Sequence, residues 1–98
     1  MIVEFTTEAR ADLFEAAEYY DAKEAGLGVR FRNEVAQILQ TVGSTPFLWR
    51  ERPKGYRRVN CPVFPYYLAY VIRENSVVVV AVAHGSRKPG FWYDRLGG

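Results

Sequence analysis

Residues 66–83 read YYLAYVIRENSVVVVAVA, and the fold turns on this stretch. Two runs rich in β-branched and aromatic residues, YYLAYVI (66–72) and SVVVVAVA (76–83), meet at the polar RENS. Such residues suit a pleated, buried surface, and a short polar break between them predicts a tight hairpin. Just upstream, YRRVNC (56–61) is a third strand candidate. Successive strand residues face opposite ways. Arg57 and Arg58 should therefore diverge. Tyr66, Leu68, Tyr70 and Ile72 should share one face, with Tyr67, Ala69, Val71 and Arg73 on the other. Val78, Val80, Val82 and His84 are expected together on the last strand.

Towards the N-terminus, IVEFT (2–6) alternates and reads as a short strand. Thr6 or Thr7 can cap a following helix, with Glu8 in its first turn. Ala9, Leu13, Ala16 or Ala17, and Tyr20 recur at helical spacing. Asp12, Glu15, Glu18 and Asp21 fall on other faces and are expected to be solvated. Gly26 and Gly28 bracket a break. Leu27, Phe31, Val35, Ile38 or Leu39, and Val42 define a second helix, with Gly43 as its cap and Pro46 preventing continuation. STPFLWRERPKG (44–55) is a loop. The expected order is β-α-α-β-β-β with a short C-terminal tail or helix. This is an α+β domain spanning residues 1–98, in which an N-terminal helical hairpin covers one face of a small sheet and leaves the other open or partly covered.

The 98 residues are 49% apolar and 24% charged, ordinary for a globular protein. No run has the roughly 18 apolar residues of a membrane helix. MIVEFTTEAR (1–10) lacks the pattern of a secretion signal. The single cysteine, Cys61, excludes an internal disulfide and points to a cytoplasmic protein. Residues 1–49 hold four basic and eight acidic side chains, residues 50–98 nine and three, so the halves carry −4 and +6. A polyanionic partner or an uneven solvated surface both fit.

The tail HGSRKPGFWYDRL (84–96) gathers the only histidine with Arg87, Lys88, Trp92, Tyr93 and Arg95. RNA cleavage by transesterification needs a base, a cation on the phosphorane and an acid for the leaving oxygen. Arg57 or Arg58, Arg87, His84 and Tyr93 are suitable types. The plainer readings are a strand-end histidine, an ion-paired arginine, and Trp92 as a packing anchor for the tail. Cys61 precedes a proline in apolar surroundings and reads as a buried structural thiol. One cysteine and one histidine are too few for a typical zinc site, no glycine-rich phosphate loop follows a strand, and no metal or cofactor is expected.

Taken together, ADLFEAAEYY (11–20), LGVRFRNEV (27–35), Pro46, YRR (56–58), FPYYLAY (64–70) and VAVAHGSRKPGFW (80–92) resemble the RelE/ParE family of type II toxin–antitoxin toxins. The resemblance spans nearly the whole chain. It implies an antiparallel-rich sheet with a helical hairpin and a cytoplasmic bacterial toxin. A cognate antitoxin of ParD or RelB type would neutralise it, folding as it binds. RelE-like members cleave mRNA on the ribosome, and ParE-like members inhibit DNA gyrase. By resemblance, Arg57 or Arg58 matches the central-strand arginine of the nucleases. Arg87 matches their second phosphate-binding arginine, Tyr93 their C-terminal tyrosine and Lys54 one of a lysine pair. Glu51 and His84 are counterparts of a glutamate and histidine used by another nuclease branch, although His84 lies early for that pattern. The set is incomplete, which favours the gyrase branch. Lys54, Lys88, Trp92 and Arg95 then belong to a target-facing surface. The alternatives are a ribosome-dependent endoribonuclease and a detoxified module that only binds antitoxin. A sticky apolar patch is expected on the outer face of the first helix or at the sheet edge.

Overall fold

The structure is a computed structural model and describes residues 1–97. Its elements are β1 (Ile2–Phe5), α1 (Thr7–Lys23), α2 (Leu27–Ser44), β2 (Arg57–Asn60), β3 (Tyr66–Arg73) and β4 (Ser76–His84), followed by a 3-10 helix (Pro89–Gly97). The four strands form one sheet in the order β1-β4-β3-β2. β2, β3 and β4 are antiparallel, whereas β1 joins the edge of β4 in parallel. The β3–β4 turn is as tight as expected: Arg73 pairs with Ser76, and Glu74 takes the positive φ (53°) of a hairpin turn.

One face assignment fails. Ala69 opposes Ala81 while Tyr70 opposes Val79, so Val80 is an extra residue in β4. A bulge reverses the parity of the strand beyond it. Val77, Val79 and Val82 consequently face the helices, and Val80, Ala81 and Ala83 face away. Val78, Val80, Val82 and His84 do not share a face. His84 is opposite Tyr66, on the helix side.

The helices form as their sequence patterns require. Thr6 is the N-cap of α1, its Oγ1 accepting from the Ala9 amide at 3.1 Å. Ala9, Ala16, Ala17 and Tyr20 are buried with Phe31, Val35 and Val42 of α2 against Leu68, Tyr70, Val77 and Val79. Tyr20 and Phe31 enclose Phe64 and Tyr66 with ring separations of 4.8–6.0 Å. Gly26 makes the break, at φ +90°. Gly28 lies inside α2, where its amide donates to Asp21 Oδ1 at 2.7 Å. Gly43 is not the cap either. The helix continues to Ser44 and closes at Thr45, and Gly43 instead lets β1 approach, with Val3 Cγ2 3.2 Å from where a Cβ would stand.

The opposite face of the sheet carries a second core. The 3-10 helix crosses it, and Trp92 is fully buried with Tyr56, Tyr67, Ala69, Val71, Val80 and Ala81. The indole Nε1–H donates to the Tyr67 hydroxyl at 2.8 Å, and Tyr56 and Tyr93 meet the ring edge-on at 4.8 and 5.0 Å. At about 25 cal/mol per Å², burying an aromatic of this size contributes about 4–6 kcal/mol before entropy is subtracted.

An ion pair fastens this segment to α1. β1 ends at Phe5, opposite Val79, leaving the rest of that β4 edge without a neighbouring strand. There the Asp12 carboxylate accepts from the Val82 amide at 3.1 Å, and Arg95 Nη1 donates to the Val80 carbonyl at 3.0 Å. The two side chains join at 2.7 Å. Together they extend the hydrogen-bond ladder where the backbone of β1 stops.

Candidate functional site

The alternation of β2 separates its two arginines. Arg57 pairs in register with Tyr70 and is engaged on the helix side. Its Nη1 donates to the Trp49 carbonyl at 2.6 Å, Glu51 lies 3.5 Å away, and the Phe47 ring is 5.2 Å from the guanidinium carbon. Arg58 pairs with Ala69 on the opposite face. Its guanidinium carbon stands 3.7 Å over the centre of the Tyr67 ring while its Nε donates to Asn60 Oδ1 at 3.1 Å. Only one arginine is therefore displayed with its terminal fork clear of the 46–54 loop.

At the end of β4, His84 meets Tyr66 edge-on at 5.1 Å. Its Nδ1 accepts from the Ser86 amide at 3.0 Å and lies 2.8 Å from Ser86 Oγ, which leaves Nε2 to carry the proton of the neutral ring. Arg87 stacks over Phe91 at 3.7 Å. Two crevices adjoin this histidine. One, of about 190 Å³, is lined by Asp12, Glu15, Tyr19, Tyr66, His84 and Arg87. The other, of about 520 Å³, brings in Arg58, Asn60, Tyr67 and Ser86. Burial first, then the neighbouring Tyr19 and Asp12, push the Tyr66 phenol up, and Arg87 opposes them. His84 thus joins the two crevices, sharing one with Arg87 and the other with Arg58.

The other sequence candidates are elsewhere. The Tyr93 hydroxyl is 3.4 Å from that of Tyr56, at the start of β2, and Lys54 Nζ stands 5.2 Å over the Tyr93 ring. The Tyr56 phenol is pushed up by burial and then by this hydrogen bond. Trp92 is inside the second core and Arg95 is bound to Asp12, so both hold the tail in place; Lys88 is exposed in the turn before the 3-10 helix. Glu51 is paired with Arg57 and lines neither His84 crevice. Cys61 is buried, and burial followed by the adjacent Glu34 carboxylate pushes its thiol up to about 12. Such a group stays protonated and unreactive at neutral pH.

Sequence reasoning missed two carboxylates. Asp12 resembled its solvated neighbours on α1. Glu34 accepts from the Val63 and Phe64 amides at 3.3 and 3.2 Å, shaping the turn into β3. Neither has a sequence signal, because their partners are 70 and about 30 residues away. Among the described residues, no group of three or more His, Cys, Asp or Glu is placed to hold a metal ion, and no helix is long and apolar enough to cross a membrane.

Apolar side chains remain at the surface on both helices and in the loops, Val29 of α2 and Val63 before β3 among them. Phe14 and Tyr19 stand along α1. Met1, Val3, Ala36, Leu39 and Gly43 line an open groove between β1 and α2. Phe47 and Leu48 form the tip of the loop after α2.

The family model described as the ParE toxin of type II toxin-antitoxin system, parDE, matches residues 3–89. Toxin ParE2 of Mycobacterium tuberculosis, in strains CDC 1551 / Oshkosh and ATCC 25618 / H37Rv, is 30% identical over 79 residues, which is 80% of this chain and 75% of that protein. A chain in the structure of the chromosomal ParDE TA system from P. aeruginosa superposes with a TM-score of 0.76, covering 86% of this chain and 95% of that one. At 14% identity this last likeness speaks for the fold alone. The extent of the family match and the ParE2 relative establish that the chain belongs to the ParE toxins of type II toxin–antitoxin systems.

Proposed function

We propose that this toxin inhibits DNA gyrase and is silenced by a cognate antitoxin that covers its exposed apolar surface. The observation that carries the reading is the dispersal of the nuclease candidates. Arg57 is committed to Trp49 and Glu51, and Tyr93 is bound to Tyr56 beneath Lys54. Arg58 shares one crevice with His84, and His84 shares another with Arg87, and Tyr93 lines neither. A phosphorane held by Arg58 or Arg87 would have His84 alone to act as both base and acid, since Tyr93 lines neither crevice and proton transfer requires about 2.6–3.2 Å or one bridging water. In this reading Arg58, Arg87, Lys88 and Lys54 supply positive charge facing the target, and Trp92 and Arg95 hold the tail that carries it.

Antitoxin binding draws on the apolar groove beside β1 and on Phe14 and Tyr19 of α1. A disordered segment that folds on such surfaces gains contact area while covering them. The family's description as one half of a toxin–antitoxin system supports the existence of that partner.

The test pairs two assays on the purified toxin, shown to arrest growth in cells. Gyrase supercoiling should fall and recover when antitoxin is added, while mRNA on programmed ribosomes stays whole. Cleaved mRNA, abolished by Arg87→Ala with the fold intact, would overturn the proposal in favour of a nuclease built on Arg58, His84 and Arg87. A chain harmless without its antitoxin would instead be a detoxified binding module.

A further inference from the structure

We infer that the loop joining α2 to β2 is a duplex-DNA contact whose tip, Phe47–Leu48, wedges into a groove. These side chains are 63% and 68% exposed, though both are large and apolar. They are displayed by a braced support. The Tyr70 hydroxyl donates to the Pro46 carbonyl at 2.6 Å, Arg57 holds the Trp49 carbonyl at 2.6 Å, and Trp49 packs on the main core. Beyond them, the Arg52 amide donates to the Tyr56 carbonyl at 2.7 Å. A flexible loop could fold its apolar residues inward; this one is tied on both sides and holds them outward.

The charge around the tip selects the partner. Residues 46–55, PFLWRERPKG, hold Arg50, Arg52 and Lys54 against a single acidic residue, Glu51, which is paired with Arg57. Arg50 and Lys54 are exposed. An exposed, apolar, cation-flanked loop tip fits a concave and densely anionic surface. The groove of duplex DNA is such a surface, and Phe and Leu are among the side chains that part base steps there, flanked by arginines on the phosphates. An acidic protein face would also attract the cations, but it offers no stack to open. The inference rests on the gyrase reading for its setting, since gyrase holds duplex DNA, yet the binding itself needs no gyrase.

The test measures binding of the full-length toxin to a fluorescent mixed-sequence duplex of about 20 bp, end-labelled to report bending by energy transfer. Wild type should bind and bend it. The Phe47→Ala/Leu48→Ala variant should bind about tenfold more weakly and lose the bend, with its salt dependence unchanged. The Arg50→Ala/Arg52→Ala variant should keep the bend and lower the slope of log K against log salt by about 1.8. The tip residues are solvent-exposed, and unchanged melting would exclude misfolding as the cause. Absence of duplex binding at about 50 mM salt, or a tip variant that binds and bends as wild type does, overturns the inference. So does a tip variant that loses only its grip on gyrase protein, which would assign the loop to an acidic protein face. Bending by a toxin that leaves supercoiling untouched would uphold the DNA contact and refute gyrase as the target.

Discussion

Replacing Asp12 by alanine removes one carboxylate and strands two groups. The Arg95 guanidinium loses its partner at 2.7 Å, and the Val82 amide loses its acceptor at 3.1 Å. The side chains of Arg95 and Asp12 are only 19% and 15% exposed, so water replaces these contacts incompletely. Breaking a buried pair costs about 3–5 kcal/mol, and partial exposure at the sheet edge sets the lower end, about 3 kcal/mol. In a chain of this length that lowers Tm by roughly 12–24 °C. Arg95→Ala leaves the carboxylate its bond to Val82 and should cost about 2 kcal/mol. The double variant has no unpaired charge and should cost about 4 kcal/mol rather than the additive sum of about 5. Urea denaturation of the three variants gives the cycle, and amide exchange at Val82 locates the loss. An Asp12→Ala cost below about 1 kcal/mol, or single effects that add within about 0.5 kcal/mol, would refute the view that this pair completes the β4 edge.

Two further outcomes follow from buried groups. The Cys61 thiol, pushed up to about 12, should resist alkylation at pH 8 in the folded protein and react once denatured. Because the unfolded thiol ionises first, the folded state binds the extra proton between about pH 8.5 and its own pKa, so stability declines as pH rises through that window, by at most about 1.4 kcal/mol per pH unit. Cys61→Ala should remove this part of the slope in melts taken from pH 8 to 11, and an unchanged slope would assign the decline to the tyrosines. For Gly28→Ala, a methyl would press on the Ala17 carbonyl and stand 2.7 Å from Asp21 Cγ. Overpacking against backbone should outweigh the alanine's better helix propensity, giving a net loss of about 1–3 kcal/mol; a stabilised variant in thermal melts would contradict it.

Most of the fold was legible because local rules agreed with the tertiary outcome. The threonine cap, the apolar stripes of α1 and α2, and the RENS turn all state their structure in short windows. The bulge could not be read. SVVVVAVA has no alternation to break, so an inserted residue leaves no trace, and the faces beyond Val80 invert unseen. Gly28 and Gly43 look like punctuation in sequence but serve close approaches of Asp21 and Val3, which only packing reveals. At the site, the divergence of Arg57 and Arg58 followed from strand parity alone. The separation of Tyr93 from His84 depended on the path of the tail across the sheet, and the anchoring of that path by Asp12 bridges 83 residues.

The position of β4 governs when this protein can exist. It is an interior strand, made last, and its two neighbours come from opposite ends of the sequence: β1 at Ile2–Phe5 and β3 at Tyr66–Arg73. Until β4 emerges from the ribosome, β1 has no strand to pair with and the helical hairpin lacks the part of its floor made by Val77, Val79 and Val82. Contacts of such long sequence separation form slowly, because loop closure must precede their reward. The nascent chain therefore carries a partly uncovered hairpin until β4 has been made. A partner present during translation meets the apolar hairpin before the finished toxin can act.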